Sequence, residues 1–551
     1  MDSRAREIVR IGNKLHDDKR SLNNLWQQHA LNFYPERADF TSPRTLGDED
    51  SDHLFSSYPV LARRELGNLI AANTRPRDTK WVSIHVDDEE ADETEENRRF
   101  LEYLTDVQYK AMYDRPANFV RSTKETDHDL VTFGQGVLQI SLNTEGSGLL
   151  YRNWHLRDCA WSDNAECHID NMHRNLKPTA RQLVQLFGKK CSKEVLKAYE
   201  KDPEKTFSCR HVVMPSRLYK FKHSLSKREM PFTSFYVEIE SETVLEEVGQ
   251  NRFGYVIPRW HTVSGSQYAV SMATSVLLPD GRTLQVMMRT LREAGENYVN
   301  PPLIAVAEAI RGDIALYPGG VTTADRDYDE RLGDVLRPIS KDKSGFPIGL
   351  DLAASLKEDI RAGFLLDKIQ LPEVSKTMTA TEVRRRLEEH VRASAPIFEP
   401  ITEDYSEPVC SATFEILLEN GVFPTEFMPQ GLRGKDVKFK FRTPMQAMTE
   451  QTEAQAYIDI RDQVLVPMLQ IDPAQMEGID LTTATRDAMR TMGWRAKWFK
   501  TEEAIAEARA KQAEEAEAAK MAEQIGQMGA LAEQGGKGIN ALVTAGQSAQ
   551  G

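Results

Sequence analysis

The side chains best suited to chemistry are two thiols and two imidazoles, Cys159, Cys167, His168 and His173, which together would supply four zinc donors. Their spacing argues against that use. A gap of seven residues after Cys159 and the adjacent Cys167-His168 pair match no standard ligand pattern, so ordinary core or surface roles are expected. Two acidic groups, Asp127-His128-Asp129 and Asp202-Pro203-Glu204-Lys205, could hold Mg²⁺ through oxygen as a nuclease does. Clusters this short arise by chance, and the reading preferred for both is solvated polar surface. No GxxxxGK[ST] phosphate loop, GxSxG elbow, HExxH or CxxC is present. The chain is therefore no ATP-driven motor of the phosphate-loop type, and the common hydrolase and zinc-ribbon readings lose their support. Catalytic, cofactor and metal residues are all expected to be none.

The elements that would position any site come next. The chain has 551 residues, 40% of them hydrophobic and 28% charged, which predicts several domains of ordinary globular composition. Five cysteines, an odd number, argue against a disulfide framework and for a reducing compartment. The opening Met1-Asp2-Ser3-Arg4 lacks a secretory apolar core and no run is long enough to span a membrane, so an intracellular product without a membrane partner is expected. The net charge of −14 removes the broad basic footprint of a phosphate-neutralising protein and suits a passage for DNA better than a clamp.

Apolar periodicity predicts one helical stripe from Ile8 to Phe33, a helix from about Tyr58 to Asn73, and a strand over Lys80–Val86, followed by an acidic run, Asp87 to Glu96, opening a solvated helix. Short alternating segments between Thr132 and Arg157 predict a small sheet, with a helix over Thr179–Phe187 and a strand over Ser234–Glu240. Trp26, Trp81, Trp154 and Trp260 fall in these patterned segments and read as core anchors rather than base-stacking platforms. Later come a capping box at Thr379–Glu382, a helix over Pro408–Leu418, and a strand over Val437–Arg442 alternating apolar and cationic residues. The Ala/Glu-rich tail beyond Thr501 has too few large apolar residues to bury a core alone.

The most informative stretch runs from Pro279 to Leu366. Leu284, Met287, Met288, Leu291, Ala294 and Tyr298 mark one helical face, and Leu352, Ala353, Leu356, Ile360 and Phe364 mark another. Between them lies an excursion punctuated by Pro301-Pro302, Pro318-Gly319-Gly320 and Gly345-Phe346-Pro347, too long for an ordinary helical hairpin. This predicts a stalk: a helix out, a small loop domain, and a helix back.

The order of these motifs resembles the portal, or head-to-tail connector, proteins of short-tailed, podovirus-type bacteriophages. The resemblance is carried by Trp26 and Tyr34-Pro35, Leu66 to Arg75-Pro76 and Trp81, Val256-Ile257-Pro258-Arg259-Trp260 with Tyr268, Leu278-Pro279-Asp280, Asn300-Pro301-Pro302-Leu303, and Met378-Thr379-Ala380-Thr381-Glu382-Val383. It departs from the family at Ala269-Val270-Ser271, where relatives often place a glycine-rich turn.

The resemblance implies a mixed α/β, mainly α, portal fold assembling as a ring, normally of twelve copies. It implies a wing over 1–277, a first stem helix over 278–300, a clip over 301–346 and a second stem helix over 347–366. A channel loop and the rest of the wing would occupy 367–444, and a crown with a helical tail 445–551. Lys368 and Lys376 would present cations to passing DNA from the channel loop. Leu303, Ile304, Val306 and Tyr317 would give the clip apolar edges for a neighbouring copy or partner.

The implied function is structural: a ring at one capsid vertex through which double-stranded DNA is packaged and ejected without regard to sequence. The implied partners are the large terminase subunit, tail adaptor and tail tube proteins, and the major capsid and scaffolding proteins. The protein would be made in the host cytoplasm and end in the virion. The rivals are a metal-dependent nuclease built on the Asp/His clusters and a helical scaffold or adaptor built on the tail, whose lack of sustained heptads weakens it.

Overall fold

A computed structural model describes residues 3–42, 51–77, 79–88, 94–218, 230–305, 345–369, 380–442, 457–467 and 481–494, with short pieces at 45 and 47, between 310 and 338, at 454, at 498–499 and between 505 and 511. In chain order these form helices α1 (Ser3–Asp18), α2 (Arg20–Phe33) and α3 (Tyr58–Thr74), strand β1 (Val82–Val86), and helices α4 (Glu95–Met112) and α5 (Phe119–Phe133). Strands β2 (Leu138–Leu142), β3 (Leu149–Asn153), β4 (Cys159–Asp163) and β5 (Ile169–Leu176) lead to α6 (Ala180–Phe187) and α7 (Lys193–Lys201). Then come β6 (Cys209–Pro215), β7 (Phe232–Glu238), β8 (Thr243–Gln250) and β9 (Tyr255–Val256), followed by the long helix α8 (Thr274–Val299). Strands β10 (Leu303–Ala305) and β11 (Leu336–Pro338) precede α9 (Gly345–Gly363), α10 (Leu366–Ile369), α11 (Ala380–Ile401), α12 (Glu407–Glu419), β12 (Val437–Phe441) and α13 (Leu481–Thr491). The chain divides into two compact units: one of residues 1–82, 107–423 and 441–449, the other of 83–106, 424–440 and 450–551.

In the first unit, five antiparallel strands lie in the order β4-β5-β6-β7-β8, and a second sheet is ordered β3-β2-β9. All seven residues of β6 are buried, because alternate side chains enter cores on opposite faces. Val212 and Met214 pack with Phe235 and Val237 under Ala5, Ile8 and Val9 of α1. Cys209 faces Ala180, Leu183 and Val195 of α6 and α7, while Val213 joins Trp26, Phe133 and Trp161. Trp26, Trp81 and Trp260 are anchors as expected, each 1% exposed, and Trp154 is half-buried beneath the Arg174 guanidinium, 3.6 Å from its ring centroid.

Several elements match the periodicity, among them α6 with its Thr179–Gln182 capping box and Gly188 at its C-cap. The stripe from Ile8 to Phe33 does not continue as one helix. Lys19 leaves the helical conformation (φ −90°, ψ 6°) and its buried Nζ donates to the carbonyls of Leu156, at 2.6 Å, Arg157 and Cys159. An ammonium buried this deeply must find acceptors, and these lie far along the chain. Thr132 also departs from the expected sheet: it sits in α5, which runs on until Gly134, with φ 79°, ends it.

The helix out and the helix back are α8 and α9, and they form an antiparallel hairpin. Leu277, Leu284, Leu291 and Tyr298 recur every seven residues along α8. Leu277 meets Gly363 and Leu291 meets Gly349 so closely that a Cβ on either glycine would lie 2.5 or 2.8 Å from a leucine methyl. At the base, Thr274 Oγ1 donates to Thr132 O at 2.6 Å, and Gln285 exchanges two hydrogen bonds with the backbone of Ser56. The helix back ends at Gly363 rather than 366, because Leu365 adopts a left-handed φ of 57° and Phe364 turns in against Phe33.

In the second unit, β1 and β12 form a two-stranded sheet. Lys438 and Lys440 are exposed while Val437 and Phe439 are half-buried, the alternation read from the sequence. Lys435 pairs with Asp88 at 2.5 Å and Lys438 with Asp87, and Arg490 of α13 pairs with Glu95. The Thr379 end of the capping box, the residues between 443 and 453, and the tail beyond 511 lie outside the described residues.

Candidate functional site

The four zinc-type donors do not converge. In the β4–β5 register Cys159 lies opposite Arg174 and Ala160 opposite His173, so Cys159 and His173 occupy opposite faces of the sheet. Cys159 is buried, and burial pushes its thiol up to about 12; Cys167 is exposed with φ 62°. Among the described residues no three His, Cys, Asp or Glu side chains are grouped to hold a metal ion.

The Asp127-His128-Asp129 cluster corrects the solvated reading: all three residues are buried. Asp127 takes both oxygens to Arg75, Asp129 accepts from Arg37 at 2.7 Å and from Asn153 at 2.9 Å, and His128 Nδ1 lies 3.1 Å from Arg63. Burial works against the Arg75 charge, and the adjoining carboxylate overrides it, holding the guanidinium above its ordinary range. These carboxylates are spent on arginines and leave no open oxygen set for Mg²⁺. The second cluster, Asp202 to Lys205, is exposed as expected.

One arrangement was not legible in the sequence. His211 Nε2 lies 2.9 Å from Ser234 Oγ, and its Nδ1 lies 2.6 Å from the Tyr255 hydroxyl, which also accepts from Arg174 at 3.1 Å. The connectivity is that of a nucleophile and its base. Both residues are buried between strands, Ser234 at 4% exposure and His211 at 3%, and burial drives the imidazole well below its usual range. A base that resists protonation inside a sheet does not serve a substrate; the contacts fasten β6 to β7 and β9.

The hairpin differs in kind. Its flank holds an open groove of about 670 Å³ lined largely by apolar groups, among them Val286, Met287, Leu291, Ala294, Tyr298 and Phe346. Tyr298 and Phe346 meet edge to face at 5.5 Å and bridge the two helices near one end. Val276 (68% exposed), Val286 (67%) and Ile348 (61%) stand in solvent. Exposed apolar side chains gathered on one projecting element mark a surface for another macromolecule.

Beyond the Tyr298 end, Leu303 and Ile304 lie on β10, paired antiparallel with β11 through Leu303↔Pro338 and Ile304↔Arg337, and both side chains are exposed. Lys368 lies at the other end of the hairpin, exposed on α10. Val306, Tyr317 and Lys376 lie outside the described residues. The structure thus sets Lys368 apart from Leu303 and Ile304, at opposite ends of one hairpin.

Comparison with known proteins places this architecture. A model of the family described as "Bacteriophage head to tail connecting protein" matches residues 5–499. The "Probable portal protein" of Bordetella phage BPP-1 is 24% identical over 442 residues, covering 78% of this chain and 77% of that protein. The "Portal protein" of Salmonella phage epsilon15 is 20% identical over 521 residues, covering 91% and 90%. A chain from a solved structure titled "Virion of native gene transfer agent (GTA) particle" is 10% identical and covers 79% of this chain and 90% of its own, with a TM-score of 0.30. With the family match running through nearly all of the described elements, this chain belongs to the bacteriophage head to tail connecting proteins.

Proposed function

We propose that this connector is the portal of its phage: a non-enzymatic ring, normally of twelve copies, set at one capsid vertex. The observation that carries the reading is the family match over residues 5–499, supported by relatives named as portal proteins along most of the chain. In this reading α8 and α9 are the stem, the β10–β11 ribbon belongs to the clip, and the body of the first unit belongs to the wing. The ring threads double-stranded DNA, docks the large terminase subunit during packaging and then holds tail adaptor and tail tube proteins. Capsid and scaffolding proteins surround it in the shell.

The acidic chain suits this role, since duplex DNA carries about one charge per 1.7 Å and slides past a surface that does not clamp it. Lys368, exposed at the stem end opposite the clip, would repeat around the ring and offer phosphates a sequence-independent contact, with Lys376 as its companion. At the clip, exposed Leu303 and Ile304 supply apolar area for a neighbouring copy or a docking protein.

Light scattering of the purified protein with negative-stain images tests the reading. Rings of about twelve chains with a central hole are expected. A species that stays monomeric at every concentration and with scaffold added would overturn it. The same preparation is expected to leave duplex DNA uncut in Mg²⁺; metal-dependent cleavage would revive the nuclease reading.

A further inference from the structure

The hairpin has two outer edges, and their charges are opposite. On α8, Arg282 and Arg289 each stand two residues from the seam leucines Leu284 and Leu291, a rotation of about 200° that carries them to the edge facing away from α9. On α9, Glu358 and Asp351 stand two residues from Leu356 and Gly349 and so lie on the edge facing away from α8. All four are exposed. Arg282 reaches Gln28 Oε1 at 2.8 Å, and Arg289 shares Glu293 at 2.8 Å. Asp351 and Glu358 have no ion-pair partner among the described residues. The neighbouring cations on α9 are turned to their own chain: Arg361 pairs with Asp367 at 2.7 Å, and Lys357 lies over the Tyr58 ring.

The hairpin also fixes the heights of these charges. Leu277 is opposite Gly363 and Leu291 opposite Gly349, so seven residues forward on α8 match seven residues back on α9. Arg282, five past Leu277, is therefore level with Glu358, five before Gly363. Arg289, two before Leu291, is level with Asp351, two after Gly349. The next residue on the α8 edge, Glu296, falls one residue beyond Gly345, the first described residue of α9.

We infer that the basic edge of α8 packs against the acidic edge of α9 in a second copy of this chain, pairing Arg282 with Glu358 and Arg289 with Asp351 across the boundary. This rests on the ring reading with hairpins that run along the ring axis, because every hairpin then stands at the same height and residues level within one hairpin are level between neighbours. The two edges differ, so the contact is head-to-tail and leaves each copy one edge free to receive the next. The two pairs are seven residues apart, two helical turns, and repeat around the ring. The groove, which Arg282 helps to line, opens beside this contact, and the remaining faces of the hairpin are left for the lumen and for other partners.

A disulfide test separates this inference from the reading beneath it. In a variant carrying Cys167→Ser, Arg289→Cys and Asp351→Cys, the new thiols lie on opposite edges of one hairpin with both helices between them, beyond the ~7 Å Cα separation a disulfide spans. Any bond they form therefore joins two copies. Oxidation of assembled rings is expected to give a ladder of linked chains on a non-reducing gel. Charge reversal provides the second measurement: Arg282→Glu with Arg289→Glu is expected to disperse the rings, and adding Asp351→Arg with Glu358→Arg to restore them. Rings that give no ladder and ignore the reversal overturn this edge pairing while the ring reading stands. Absence of rings from the unaltered chain overturns the ring reading itself.

Discussion

The body of the first unit and the hairpin that leaves it satisfy their side chains in opposite ways. In the body, charged groups are buried and answered within the chain: Arg75 by Asp127, Arg37 by Asp129, Lys19 by three carbonyls. On the hairpin, apolar groups such as Val286 and Ile348 stand in solvent, and Asp351 and Glu358 find no ion-pair partner among the described residues. A buried charge without its partner is costly, so the body is specified internally and tolerates little change. The hairpin is left incomplete, as suits an element whose remaining partners belong to an assembly.

Breaking the body should give the largest effects. Asp127→Ala strands the Arg75 guanidinium in the interior and should cost about 3–5 kcal/mol, read as a lower urea midpoint. An unchanged midpoint would mean that water reaches the pair. Breaking the hairpin seam should cost less: Gly363→Ala places a Cβ 2.5 Å from a Leu277 methyl, and overpacking of this kind costs about 1–3 kcal/mol. Leu277→Ala alone removes a buried side chain and should cost about 2–5 kcal/mol, and the double variant should cost less than the sum of the two; strict additivity would contradict the close contact.

The pH dependence sharpens the contrast, because the neutral buried histidines belong to the body. Burial drives His173 down to about 3 and, with help from the Arg282 charge, His29 down to about 4. The unfolded chain takes up these protons near 6.5 while the folded chain does not, so neither residue costs stability above that pH. Stability is then lost as the pH falls from 6.5 toward 4, by about 1.4 kcal/mol per pH unit for each proton at the steepest. Urea titrations across this range should show the decline, and His173→Leu, if it folds, should make it shallower. A flat profile would mean that these rings are already open to solvent. The smallest effect on folding belongs to Lys368→Ala, which should leave the urea midpoint unchanged within ~0.5 kcal/mol while lowering DNA retention in particles. Unaltered retention would remove the channel role from Lys368.

The two regions also differed in how legible they were. The hairpin could be read because its determinants are local: the one-faced recurrence of Leu284, Met287, Met288, Leu291, Ala294 and Tyr298 and the prolines after Asn300 declare a long helix and its end. Its seam register could not, since Gly349 and Gly363 show their purpose only when α8 lies against them. The break at Lys19 was hidden because the acceptors that draw its ammonium inward begin 137 residues later. Asp127 and Asp129 read as surface because their arginines lie 52 and 92 residues earlier. The Cys159 and His173 pair fails as a metal site for a reason sequence spacing does not display, the alternation of the pleat across a register set by folding. The Ser234–His211 contact was missed on the same ground, as it runs diagonally between neighbouring strands whose register pairs His211 with Tyr236 and Ser234 with Val213.

A head to tail connecting protein should sit at a single place in the particle. Electron microscopy of infectious particles carrying an epitope tag on this chain, labelled with gold after the shells are opened, tests this. Gold is expected at one vertex per particle, the one that bears the tail. Label spread over the shell, or confined to the tail away from the vertex, would contradict it.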